Sequence, residues 1–195
     1  PTKGYMVKFG SEIAGLGGDE QFIKSIASGK IYRGIYGNNI IFSTELEGGT
    51  LSMGNGYSKV VDRFQLGGRS FRGFKYSGIG PRELSGGSYT IPLGGENYAI
   101  ARFAASFPLG LPRELGLYGS VFAETGTLWG LKTDSSVAGL SDKVALTDRN
   151  FRSSIGFAMN WETPIGPLQF NWSRPQKYLE ADSLEYFSLN LATRF

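Results

Sequence analysis

Polar and apolar residues alternate along this chain in segments of about ten residues, and that period of two limits its fold more than any other feature. The clearest case sets Phe151, Ser153, Ile155, Phe157, Met159 and Trp161 against Arg152, Ser154, Gly156, Ala158 and Asn160. A strand sends successive side chains to opposite faces, so such a segment has one apolar side and one polar side. The same rule opposes Tyr5, Val7, Phe9 and Ile13 to Met6, Lys8, Gly10 and Glu12, and Ile40, Phe42, Thr44 and Leu46 to Ser43, Glu45 and Glu47. Residues 97–109 set Ala99, Ala101, Phe103, Ala105 and Phe107 against Tyr98, Ile100, Arg102 and Ala104. Residues 117–129 put Phe122, Glu124 and Gly126 on one face and Val121 and Ala123 on the other. Leu168, Phe170 and Trp172 alternate with Gln169, Asn171 and Ser173, and Phe187, Leu189, Leu191 and Phe195 with Ser188, Asn190, Ala192 and Arg194. Residues 21–34 form one more strand, its faces blurred by Phe22, Ile23 and Ile26, which brings the count to eight.

The connections alternate in length. Short turns at 35–39, 110–115 and 163–166 fall on one side, and loops at 14–20, 54–94, 130–150 and 174–184 on the other. Two-faced strands with short turns on one rim and long loops on the other describe an all-β, antiparallel transmembrane barrel. A soluble sandwich would bury the apolar faces as one core. Polar faces rich in Gly, Ser and Asn suit a lumen better, and aromatics near the strand ends suit interfacial girdles. The 29 glycines and the 14% aromatic content agree with many strands joined by tight turns.

What is missing narrows the chemistry. The chain has no Cys and no His, so disulfides, thiolate zinc sites, the Ser-His-Asp triad and the usual general base are excluded, and no catalytic residue, metal or cofactor is expected. A net charge of +3 with mixed signs leaves no basic block for nucleic acid. No run approaches a membrane helix in length, and a chain opening on Pro1 without a leader is expected to be processed or excised.

The loop 54–94 contains Gly67-Gly68-Arg69-Ser70-Phe71-Arg72-Gly73-Phe74. The glycine pair and Gly73 permit sharp bends, and Arg72 carries a rigid fork of five donors. A guanidinium in a confined space needs carboxylates or carbonyls, so this stretch is either a mobile surface loop or one held by an acidic partner.

Three patterns together resemble the C-terminal half of an Omp85-family barrel. Gly67-Gly68-x-x-x-Arg72-Gly73-Phe74 is similar to the Arg-Gly-Phe tip of that family's sixth extracellular loop. Phe122-x-Glu124-x-Gly126-Thr127-x-Trp129 resembles the Phe-x-Asp-x-Gly segment of its thirteenth strand, and Phe187 to Phe195 resembles its C-terminal signal strand ending in Phe. Pro1-Thr2-Lys3-Gly4-Tyr5 and Ser173-Arg174-Pro175 also match family turns. The resemblance covers residues 1–195 as a single barrel domain or the C-terminal part of one, and makes the eight strands the ninth to sixteenth of sixteen. It also implies that the loop folds back into the lumen, where Glu124 would meet Arg72. The family commonly carries a glutamate where this chain has Ala104, so Glu45 or Glu47 are possible substitutes.

The function implied by that resemblance is the barrel part of an outer-membrane protein assembly and insertion factor of a Gram-negative bacterium. A weak seam at the last strand would open sideways and offer its backbone edge to nascent outer-membrane proteins, which needs no catalytic residue. Lipid of the outer membrane, other assembly-machine subunits, and the missing N-terminal barrel half or a second chain are the further partners implied. Two alternatives stay open: a small structural or adhesive barrel closed by these eight strands alone, and a transporter of the two-partner secretion type. An eight-stranded barrel fills its interior with side chains and could not admit the loop.

Overall fold

The computed structural model describes residues 2–15, 21–37, 39–132, 143–164 and 166–191. In chain order the strands are β1 (Lys3–Ala14), β2 (Phe22–Ile35), β3 (Ile40–Met53), β4 (Arg82–Ser85), β5 (Ser88–Pro92), β6 (Asn97–Pro108), β7 (Leu117–Trp129), β8 (Val144–Ala145), β9 (Arg152–Thr163), β10 (Gly166–Lys177) and β11 (Phe187–Leu191). Eight of them form one antiparallel sheet in the order β1-β2-β3-β6-β7-β9-β10-β11. Each therefore lies beside the next long strand of the chain, the up-and-down order that hairpin connections produce. The period-two segments coincide with these eight strands.

Among the described residues β1 and β11 are the two edges and do not pair with each other, so the sheet is open. The small closed barrel is thus not the form adopted. One face of the sheet is occupied by the 54–94 loop, for which an eight-stranded interior has no room. The residues from Ala192 through Phe195 lie outside the described residues, so the expected terminal aromatic has no structural account, and β11 is assigned to Phe187–Leu191.

The packed core lies between the sheet and the loop. Leu51, Tyr98, Ile100 and Leu128 from the long strands meet Phe64, Leu66, Phe71, Phe74 and Ile79 from the loop, and all are buried. Burying one such side chain contributes about 1.5–3 kcal/mol, so the loop is bound to the wall by apolar area as well as by charge. The opposite face is apolar and bare: Val7 is 75% exposed, Phe9 74% and Leu189 54%. A soluble sandwich would have hidden these residues. Their exposure beside a core on the other face is the arrangement of a membrane-barrel wall.

Residues 54–94 hold more regular structure than their lack of a sustained period suggests. β4 and β5 form a hairpin around Gly86-Gly87, and β8 from the 130–150 connection pairs with β4 to make a three-stranded sheet. Strands of two to five residues are too short for a period to declare itself.

Candidate functional site

Three neighbouring strands place one inward side chain each at the same height. Arg102 of β6 stands opposite Glu124 of β7, and Glu124 stands opposite Ser154 of β9. The loop segment from Ser70 to Gly73 lies across this row. Arg102 donates through Nε and Nη2 to the carbonyl of Ser70, at 3.2 and 2.7 Å. Glu124 accepts the backbone amide of Arg72 on one oxygen at 2.8 Å, while its other oxygen receives Nε of the Arg72 guanidinium at 2.7 Å and lies 2.6 Å from Nη2. The Ser154 hydroxyl donates to the carbonyl of Arg72 at 2.6 Å. Both polar groups of the Arg72 backbone are thus satisfied by wall side chains, as a neighbouring strand would satisfy them.

The guanidinium also rests on a ring. Its Cζ lies 3.5 Å from the centroid of Phe122, two residues before Glu124 on the same face. Phe122 stands opposite Gly156, where a Cβ would strike the Phe122 ring and the carbonyl oxygen of Trp172. The ring occupies the space that a side chain at 156 would need. This explains why strand residues so far apart as 122, 124 and 156 act as one seat.

Gly73 is fixed by two constraints. Its φ is +93°, a region costly for other residues, and a Cβ there would come 2.9 Å from the Ser154 Cβ. On either side of the Arg72-Gly73 pair, Phe71 and Phe74 stack at 5.1 Å between centroids, and both are fully buried. The tip closes on itself: the Ser70 hydroxyl accepts from the Gly67 amide and donates to the Gly67 carbonyl, and the Gly68 amide donates to the Phe74 carbonyl. Gly67, Gly68, Arg72, Gly73 and Phe74 therefore belong to one compact hook.

Glu45 and Glu47 do not join Glu124 on Arg72. Both sit on β3, and Arg102 of the intervening β6 takes them: its Nη1 is 3.3 Å from Glu45 and 3.0 Å from Glu47. Lys30 pairs with Glu45 at 3.1 Å and the Tyr98 hydroxyl donates to Glu47 at 2.7 Å. Their link to the hook is indirect, through Arg102 and Ser70. Periodicity put Arg102 on the right face but did not single it out as the intermediary. Beneath the hook, a polar cavity of about 640 Å³ is bordered by residues including Lys30, Glu45, Arg102, Ala104 and Asn160.

At the far edge, Phe187, Leu189 and Leu191 of β11 point to the bare apolar face, and Phe187 meets Trp172 at 5.5 Å between centroids. Among the described residues β11 pairs with β10 from Trp172↔Phe187 to Leu168↔Leu191. Among the described residues β11 has β10 on one side and no strand on the other, so one of its backbone edges is open.

Arg102, Glu124 and Ser154 fix the backbone of residues 70–72 and the Arg72 guanidinium, which is the work of a scaffold that holds a loop against a wall. The fold and the site together define a section of antiparallel transmembrane barrel wall with a loop pinned to its inner face. A family model described as the Omp85 superfamily domain matches residues 1–195, and the chain belongs to that family. It is 30% identical to the outer membrane protein assembly factor BamA of Neorickettsia risticii, over 100% of this chain and 25% of that protein. A 38% identity over 63% of the chain and 25% of the relative links it to the sorting and assembly machinery component 50 homolog of Mus musculus. In structure it resembles BamA from Haemophilus ducreyi lacking POTRA domains 1-3, with a TM-score of 0.84 and 22% identity over 97% of this chain and 38% of that one. The chain spans about a quarter of the length of the curated relatives it matches.

Proposed function

We propose that these residues are the C-terminal barrel part of an outer-membrane protein assembly and insertion factor of a Gram-negative bacterium, acting by lateral strand pairing. The observation that carries this reading is the match of the whole chain to a relative named as such a factor. The geometry supports it in two ways. Among the described residues the last strand has a free backbone edge, which is what a nascent strand needs for β-augmentation. The long loop is held inside rather than across that edge, by the row Arg102, Glu124 and Ser154. Nascent outer-membrane proteins are the substrates on this reading, lipid of the outer membrane is the surroundings, and other assembly-machine subunits and the rest of the barrel are the partners. The loop 54–94 is extracellular, and the chemistry is hydrogen-bond exchange with no bond made or broken in the covalent sense, so no enzyme activity is invoked.

The test is assembly of an unfolded outer-membrane barrel into phospholipid vesicles by the full-length protein with its partner subunits. A photocrosslinking residue at position 189 on β11 is expected to capture the substrate, and one at position 103 in the middle of the sheet is not. Equal capture at both, or assembly no faster than in empty vesicles, overturns the proposal.

A further inference from the structure

The Arg152–Asp182 pair lies outside the hook and is the most completely buried charge pair among the described residues, with both side chains 0% exposed. Arg152 opens β9 on its inner face. Its Nε and Nη2 donate to the two oxygens of Asp182 at 3.0 and 3.1 Å, and Nη1 donates to the Asn150 carbonyl at 2.7 Å. Asp182 also accepts the amide of Leu179 at 2.7 Å, which closes the turn that leads towards the last strand. Removing either partner would leave the other charge buried and uncompensated, so each holds the other in place.

From Asp182 onward the chain is stitched to the hook. The Ser183 amide donates to Gly78, the Lys75 amide to Ser183 and the Glu185 amide to Gly73, all within 3.0 Å, and Phe74 bridges Leu184 in antiparallel register. Arg82 adds a donor to the Ser183 hydroxyl at 3.3 Å. One residue further, the Tyr186 carbonyl accepts from Ser173 at 2.8 Å, and β11 begins at Phe187. The root of the last strand is therefore clamped between the wall, through Arg152, and the loop hook, through Gly73 and Lys75.

We infer that Arg152 and Asp182 are positioning residues for lateral strand pairing: they set the root of β11 against the docked hook, so that the edge offered to a partner strand is held at its upper end and released with the clamp. This deepens the proposed function and rests on it for its consequence, though the clamp can be measured without any substrate. The readout is amide hydrogen exchange in the full-length protein folded in phospholipid vesicles. Asp182→Asn removes one charge of the pair, and exchange at residues 187–191 is expected to rise about tenfold or more while β7 stays protected. Residues 1–195 contain no Cys, so Lys75→Cys with Ser183→Cys, in full-length protein whose other cysteines are replaced, offers a disulfide across the bridge. Oxidised, that lock is expected to slow exchange at 187–191 in the parent and to reverse the Asp182→Asn effect.

Unchanged exchange at 187–191 in Asp182→Asn, an equal rise in β7, or a lock without effect in the parent overturns the inference. The parent lock keeps it testable if Asp182→Asn fails to fold. Should exchange change as expected while substrate assembly keeps its rate, the clamp stands and lateral pairing at β11 is overturned instead.

Discussion

Arg72 meets Glu124 twice over, with its backbone amide on one carboxylate oxygen and its guanidinium on the other. The two contacts separate under mutation. Arg72→Ala removes the guanidinium but keeps the amide hydrogen bond, whereas Glu124→Ala removes both and leaves a largely buried cation on the Phe122 ring. Breaking a buried pair costs about 3–5 kcal/mol, so both variants are expected to loosen the loop, Glu124→Ala the more. Protease cleavage within 54–94, measured in lipid, gives the order; unchanged cleavage in both variants sinks the pairing.

Ala104 faces the same cavity as Arg72 and Arg102, and it stands opposite Phe122, whose ring carries the guanidinium. Ala104→Glu is expected to offer Arg72 a second carboxylate and to recover part of the docking lost in Glu124→Gln. The same protease assay reads it, and a double variant as open as the single one rules the compensation out.

Arg102→Ala should act on the loop without touching Arg72. It removes two hydrogen bonds to the Ser70 carbonyl and leaves Glu45 and Glu47 side by side with less neutralisation. The expected result is cleavage between those of the parent and Glu124→Ala, with Arg102→Lys only partly restoring protection because an ammonium cannot span the same fork. Full protection in Arg102→Ala would show that Ser70 is held by packing alone.

Gly73→Ala combines an unfavourable φ with a clash on Ser154, and a strained residue of this kind costs about 1–3 kcal/mol. A lower melting temperature is expected, and Ser154→Gly in the same chain should relieve the steric part though not the φ part. No change in melting temperature for Gly73→Ala contradicts the geometry of the hook.

Phe122→Leu keeps the volume of the seat roughly apolar but removes the ring face under the guanidinium. The cation–π contact is worth about 0.5–2 kcal/mol, so the variant should open the loop less than Glu124→Ala does. An effect as large as that of Glu124→Ala would mean that the ring, and not the carboxylate, carries the docking.

The faces of the strands were legible in the chain because a strand has only two sides: parity alone put Glu124, Arg102 and Ser154 inward and Leu189 outward. Parity does not say which inward carboxylate meets which cation, and here it left Glu45 and Glu47 as candidates for Arg72 when Arg102 stands between. The hairpin β4–β5 was hidden for a different reason, since four or five residues are too few to show a period.

The hook's chemistry was legible only in part, because a confined guanidinium calls for carboxylates or carbonyls but the stretch also read as a mobile glycine-rich loop. By itself, then, the sequence determined the alternation of the wall and of short turns with long loops, and it left Arg72 either in a mobile loop or beside carboxylates or carbonyls, all of which depend on residues near one another in the chain. Only the tertiary structure decided that β1 and β11 stay unpaired among the described residues, that Arg102, Glu124 and Ser154 form one row, and that Arg152 and Asp182 join the hook to the root of β11. Those are contacts between segments far apart in the chain, set by strand register and by the path of the loop, and no local pattern carries either.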